Sequence, residues 1–192
     1  MNFLRKFAGM NEEIKKWKTL KSEYLFQRPW LTARRDAVEL PDGRVHDEFY
    51  ILEYPEWVNV IAVTDDGHYV MVRQYRHGTQ EVLTELCAGC AEPGEDMESA
   101  ARRELLEETG FGGGRWRAFD VLAPNASAMT NLSHTFIAEG VTRIGDQHLD
   151  PTEDIAVVLL SEQELLELLG SGEIKQTTMA APLWHYFYEL KR

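Results

Sequence analysis

Between Gly89 and Phe111 the chain reads GCAEPGEDMESAARRELLEETGF, and three of its carboxylates, Glu104, Glu107 and Glu108, lie within one helical turn or so of each other. At about 100° per residue these three fall within an arc of roughly 100° on one side of a helix. Like charges at that spacing destabilise an isolated helix by about a few tenths of a kcal/mol, so the pattern calls for something positive. Arg103 stands one turn before Glu107 and can orient one carboxylate by an ion pair. Hard divalent cations such as Mg²⁺ take oxygen ligands and bind through one or two carboxylates plus substrate phosphates, so the remaining carboxylates suit metal-assisted phosphate chemistry. The same composition also suits a solvated helix face, which is what most Glu-rich helices are.

Cys87 and Cys90 are the only cysteines, and they form a C-x-x-C beside the acidic segment. Zinc would want two more soft ligands, which no second cysteine pair supplies. A thioredoxin-like site would want a helix beginning at the motif, whereas Pro93-Gly94 intervenes. The six histidines are dispersed, with none at H-E-x-x-H spacing. The cysteine pair is therefore expected to be incidental to catalysis.

The elements that must position these residues are legible in outline. Met97 to Thr109 contains neither proline nor glycine, and Gly110 closes it, which predicts a helix carrying the carboxylates. Ahead of it, Val58 to Thr64 and His68 to Tyr75 flank Asp65-Asp66-Gly67, and Thr32 to Leu40 and Arg44 to Glu53 flank Pro41-Asp42-Gly43, predicting two hairpins. Ile14, Trp17, Leu20 and Leu25 have roughly helical spacing, so Asn11 to Tyr24 is expected as a helix or turn. Beyond Gly112-Gly113-Gly114, the runs Trp116 to Leu122, His134 to Ala138 and Ile155 to Leu160 read as strands. Ser161 with Glu164 forms a capping box for a helix stopping at Gly170, and Gln176 to Leu190 is helical with Pro182 as a kink or first turn. The outcome is an α/β (α+β) domain with a mixed sheet between helices. A small extension, residues 1–54, precedes the main domain, 55–192.

Composition excludes some functions. With 20 basic and 32 acidic residues the formal charge is −12, which repels a nucleic-acid backbone and leaves phosphate handling to bound cations. No apolar run approaches the roughly 20 residues needed to span a bilayer, and Arg5 and Lys6 interrupt the start, so a cytoplasmic protein without membrane or nucleic-acid partners is expected.

The segment Gly89 to Phe111 resembles the Nudix box: Gly, five residues, Glu, seven residues, Arg-Glu, an aliphatic, any residue, Glu-Glu, any residue, Gly, and a hydrophobe. Gly89, Glu95, Arg103, Glu104, Leu105, Glu107, Glu108, Gly110 and Phe111 occupy every specified position. The resemblance implies an α/β/α sandwich around a mixed sheet, with the box as loop, helix and loop. It implies that Glu104 and Glu108 bind Mg²⁺ or Mn²⁺ with a backbone carbonyl near Ala88, and that Glu107 and Arg103 support them. The flanks are similar to the ADP-ribose and nucleotide-sugar pyrophosphatase branch from about Trp57 to Leu169. Val72-Arg73-Gln74-Tyr75-Arg76 resembles the strand before the box, and Glu85-Leu86-Cys87-Ala88-Gly89 resembles its Glu-Leu-Pro-Ala-Gly, with Cys87 in place of proline.

By that resemblance Arg73 and Arg76 contact phosphates or adenine, and Glu153 is the general base, with Asp150 as a second candidate. The hairpin Thr32 to Glu53 resembles the part through which the branch forms homodimers. The implied reaction is hydrolysis of the pyrophosphate bond of a nucleoside diphosphate joined to another group, either ADP-ribose, giving AMP and ribose 5-phosphate, or a nucleotide sugar. The competing readings are a catalytically silent Nudix-fold binding module and a nucleoside triphosphate pyrophosphatase. Intact box carboxylates speak against the first, and the N-terminal extension against the second.

Overall fold

Asp-Gly turns and β-rich runs dictate the first part of the chain. Gly43 adopts φ 85°, and the Asp42 side chain accepts the Arg44 amide, which closes a turn between two strands. The computed structural model describes residues 14–191 and divides the chain into two units, Met1–Glu53 and Tyr54–Arg192. The first holds β1 (Lys18–Arg28), β2 (Leu31–Glu39) and β3 (Val45–Glu53), all antiparallel in that order. The helix expected over Asn11 to Tyr24 is therefore corrected where it can be seen: most of that stretch is strand, and residues 11–13 lie outside the described residues. The hairpin expected over Thr32 to Leu40 and Arg44 to Glu53 is present as β2 and β3, and β1 adds a third strand to it. Ladder bonds to β2 outweigh the helical spacing because a lone amphipathic helix needs an apolar surface to bury its stripe, and Trp17, Leu20 and Leu25 are exposed.

The second unit contains β4 (Trp57–Thr64), β5 (Tyr69–Arg76), β6 (Glu81–Cys90), α1 (Met97–Thr109), β7 (Phe111–Leu122), β8 (Ser133–Arg143), β9 (Ile155–Leu160), α2 (Glu162–Ser171) and α3 (Thr177–Leu190). Its six-stranded sheet runs β7-β8-β4-β6-β5-β9, and the β4–β8 pair is parallel while the others are antiparallel. Alternation along β4 divides the core. Val58, Val60 and Ala62 pack with Ala100, Ala101 and Leu105 of α1, whereas Ile61 packs with Leu165 of α2 and Leu183 of α3. Helices thus cover both faces of a mixed sheet, the sandwich expected. Each fully buried Leu, Ile or Val contributes about 1.5–3 kcal/mol of transfer free energy to holding α1 against the strands. Among the described residues no helix is long and apolar enough to cross a membrane.

Three local departures have physical causes. Gly112 to Gly114 do not separate elements but belong to β7, where Gly114, at φ 71°, leaves room for the Glu139 carbonyl that a Cβ would overlap, and the register of the ladder shifts only later, between Ala118 and Val121. Helix α2 passes Gly170 and is capped by Gly172, at φ 80°, whose amide reaches Leu168 and Leu169. Pro182 lies inside α3, and the Thr178 carbonyl that its missing N–H leaves free accepts instead from the Asn59 side chain at 3.2 Å.

Candidate active site

Helix α1 starts at Asp96, whose carboxylate accepts the Ser99 amide at 3.0 Å, and it ends at Gly110, in the left-handed region. Between these caps its acidic side meets the end of β6. A Cβ at Gly89 would overlap the Glu104 carboxylate, so glycine there leaves this side chain its place against the strand. Arg103 fills the space between them. Its guanidinium donates to Glu95 through Nε (3.0 Å) and Nη2 (2.9 Å), to Glu104 (2.9 Å) and Glu107 (3.0 Å) through Nη1, and to the Cys90 carbonyl (3.0 Å) through Nη2. All five donors of the group are therefore used. One arginine holds three carboxylates and a strand end, more than the single pairing its spacing implied. Glu95 is accordingly held below the usual carboxylate range.

Glu108 is treated differently. It is 3% exposed, and its partners are the Ala88 amide, at 3.1 Å, and the Cys87 thiol, neither of which is a cation. Burial, with the charges of Glu104 and Glu153 adding to it, pushes its carboxyl up to about 8. Burial also raises Glu104, against the opposing pull of Arg103. The Cys87 thiol is pushed well above its usual range, mainly by its own burial, as befits an inert structural cysteine; Cys90 is raised for the same reason.

The half-buried Glu104 and the buried Glu108, both raised by desolvation, form a donor set a divalent cation would complete. Among the described residues no three His, Cys, Asp or Glu side chains converge into a ready cage. That fits a hard cation that takes one or two carboxylates and finds its remaining oxygens in backbone, water and phosphates.

The other predicted residues divide. Glu153 is close enough for its charge to raise Glu104, Glu108 and Cys87, although nothing in sequence adjoins them. Its Oε2 accepts the Asp150 amide at 2.9 Å and its own amide donates to the Asp150 carbonyl, so Asp150 contributes backbone to the loop. Arg76 donates to Glu85, which is 1% exposed, through Nε (3.0 Å) and Nη2 (2.6 Å). It lines a cavity of about 440 Å³ together with Trp57, Asn59, Ala88, Gly89 and Ser133. Arg73 is not among the residues of that cavity; it lines a separate recess of about 650 Å³ with Leu160 and Leu168.

Sequence reasoning missed Glu85, Asn59 and Gln147. Glu85 anchors Arg76, and its place in an otherwise apolar strand segment was the available signal. Asn59 is 2% exposed and donates to Ser133 and to the Thr178 carbonyl, while its Oδ1 has no hydrogen-bond partner among the described residues. Gln147 carried no signal at all, because its partners are main-chain carbonyls distant in sequence.

The NUDIX domain family matches residues 54–180, and the nucleoside diphosphate sugar hydrolase N-terminal domain matches residues 17–52. An ADP-ribose pyrophosphatase of Bacillus subtilis (strain 168) is 31% identical over 158 residues, covering 82% of this chain and 85% of that protein. A methanol dehydrogenase activator of Bacillus methanolicus is 32% identical over 158 residues, with the same 82% and 85% coverage. Among solved structures, an ADP compounds hydrolase is similar with a TM-score of 0.80 at 22% identity, over 94% of this chain and 97% of that one; the likeness is one of fold.

Proposed function

This chain belongs to the Nudix family of hydrolases, and on that premise we propose that it cleaves the pyrophosphate bond of ADP-ribose or a nucleotide sugar with Mg²⁺ or Mn²⁺ bound. The observation that carries the proposal is the carboxylate pair of half-buried Glu104 and buried Glu108, both raised by desolvation, where β6 meets the box. The carboxylates of Glu104 and Glu108 and the carbonyl of Ala88 would hold the cation, which neutralises the crowded phosphate oxygens and lowers the pKa of the attacking water. Arg103 keeps Glu104 and Glu107 in register with the strand end. Arg76, fixed by Glu85 through Nε and Nη2, keeps Nη1 for a phosphate oxygen at the cavity rim.

Glu153 takes the water proton at Oε1, the oxygen not engaged by Asp150. The water oxygen bonds to one phosphorus as the bridging P–O bond breaks. From ADP-ribose the two products are AMP and ribose 5-phosphate. The purified protein, assayed for phosphomonoester release from a panel of ADP-ribose, nucleotide sugars and nucleoside triphosphates with and without Mg²⁺, should hydrolyse the first two classes only with metal. Metal-independent binding without hydrolysis would replace the proposal with a ligand-binding module.

The N-terminal unit supports a homodimer. Every residue of β1 is exposed, and Leu20, Tyr24, Leu25 and Phe26 give this edge strand apolar surface of the kind that pairs with another chain. Light scattering at micromolar concentration should give about twice the 22.1 kDa chain mass, and a monomer would refute this assembly.

A further inference from the structure

We propose that Gln147 is a positioning residue that locks the loop bearing Glu153 onto the C-terminal end of the box helix. The inference rests on Glu153 acting as the base. The last carbonyls of a helix have no intrahelical donor and must find partners elsewhere. In α1 they are met by the segment that follows β8. The Ile144 and Gly145 amides donate to the Gly110 carbonyl at 2.8 and 3.1 Å, and the His148 amide donates to that of Glu107 at 2.8 Å. Gln147 supplies the side-chain part of the cap: its Nε2 donates to the Glu108 carbonyl at 2.6 Å and to the Ile155 carbonyl at 3.2 Å.

These two bonds use both hydrogens of one amide nitrogen. One goes to the residue whose carboxylate is the most strongly perturbed of the site, and the other to the first residue of β9, which pairs with Gln74 of β5. The segment from His148 to Asp154 is thus tied at both ends through a single side chain. Closing a short loop in this way removes conformational freedom that the loop would otherwise keep. Inside the closed loop, the paired bonds between Asp150 and Glu153 fix where the Glu153 carboxylate emerges. Gly110 is required for the approach, because a Cβ there would overlap the Gly145 carbonyl.

Gln147→Met keeps the length of the side chain and removes its donors. Hydrogen–deuterium exchange on the metal-free protein should show amides in 149–154 exchanging about tenfold faster in Gln147→Met, with those of 100–105 unchanged. Turnover of ADP-ribose should fall about tenfold with KM unchanged, and in a Glu153→Gln background Gln147→Met should cause no further loss. Gln147→Asn, one carbon too short to span both carbonyls, should behave likewise. Unchanged exchange in 149–154 would overturn the proposal whatever the substrate proves to be. So would multiplying losses in the double variant, or a lowered Tm with unaltered kcat, either of which would reduce Gln147 to a helix cap. If the wild type hydrolyses no nucleoside diphosphate derivative, the substrate assignment falls and the exchange comparison alone decides the clamp.

Discussion

The Arg103 network and the neighbouring Glu108 carboxyl handle negative charge in opposite ways. Arg103 binds Glu95, Glu104 and Glu107, and every guanidinium donor is used. Glu108 is adjacent in sequence to Glu107 yet buried without a cation and pushed up to about 8. The first arrangement gives each carboxylate a guanidinium partner, although burial still raises Glu104. The second holds unfavourable electrostatics that the fold tolerates and that a metal would reverse. Sites that bind cations by carboxylates are expected to be strained without them, and in the function proposed here that strain distinguishes Glu108 from the equally acidic Glu107.

The sharpest way to break this comparison is Glu108→Gln, which should lower turnover at least about a hundredfold while raising the Tm of the metal-free protein, because a neutral isostere removes the cost of ionising a buried carboxyl. Calorimetry and kinetics on the same sample check both halves; a destabilised variant would mean that Glu108 is structural. Glu153→Gln should cost roughly a hundredfold in kcat with little change in KM, since a general base acts in the chemical step. Steady-state kinetics beside Asp150→Asn locates the base: an impaired Asp150→Asn with a near-wild-type Glu153→Gln would move it by three residues. Within the network, Arg103→Met should be chiefly a stability defect of about 3 kcal/mol, because it leaves three carboxylates and the Cys90 carbonyl without their donor. Denaturant unfolding measures it, and a loss under about 0.5 kcal/mol would show the network to be dispensable.

A smaller effect concerns pH. A carboxyl raised from 4.5 to about 8 on folding favours the folded state most when protonated, so its stabilising contribution is full below about pH 4.5 and is lost as pH rises through 8. From about pH 6 to about 7.5 the metal-free protein should lose about 2 kcal/mol from this group alone. Glu108→Gln should abolish that slope, and saturating Mg²⁺ should flatten it; a slope that persists in the variant belongs to another group.

The sequence by itself determined the elements and the chemistry of the box. The limits of α1, β9 and the α2 capping box follow from helix formers, Gly110 and the Ser161–Glu164 spacing, because caps and propensities act over a few residues. It also carried the Nudix pattern, whose residues share one helix and the strand end before it. Only the tertiary structure decided that Arg103 serves three carboxylates, that Glu153 stands near Glu108, that Arg76 is held by Glu85 while Arg73 is not in the cavity of Ala88, and that Lys18–Arg28 is strand. Burial and Coulomb interactions depend on distance through space, and the chain brings Glu108 and Glu153 together by a crossover through β7 and β8, with hydrogen bonds from Gln147 to the Glu108 and Ile155 carbonyls that no local pattern announces.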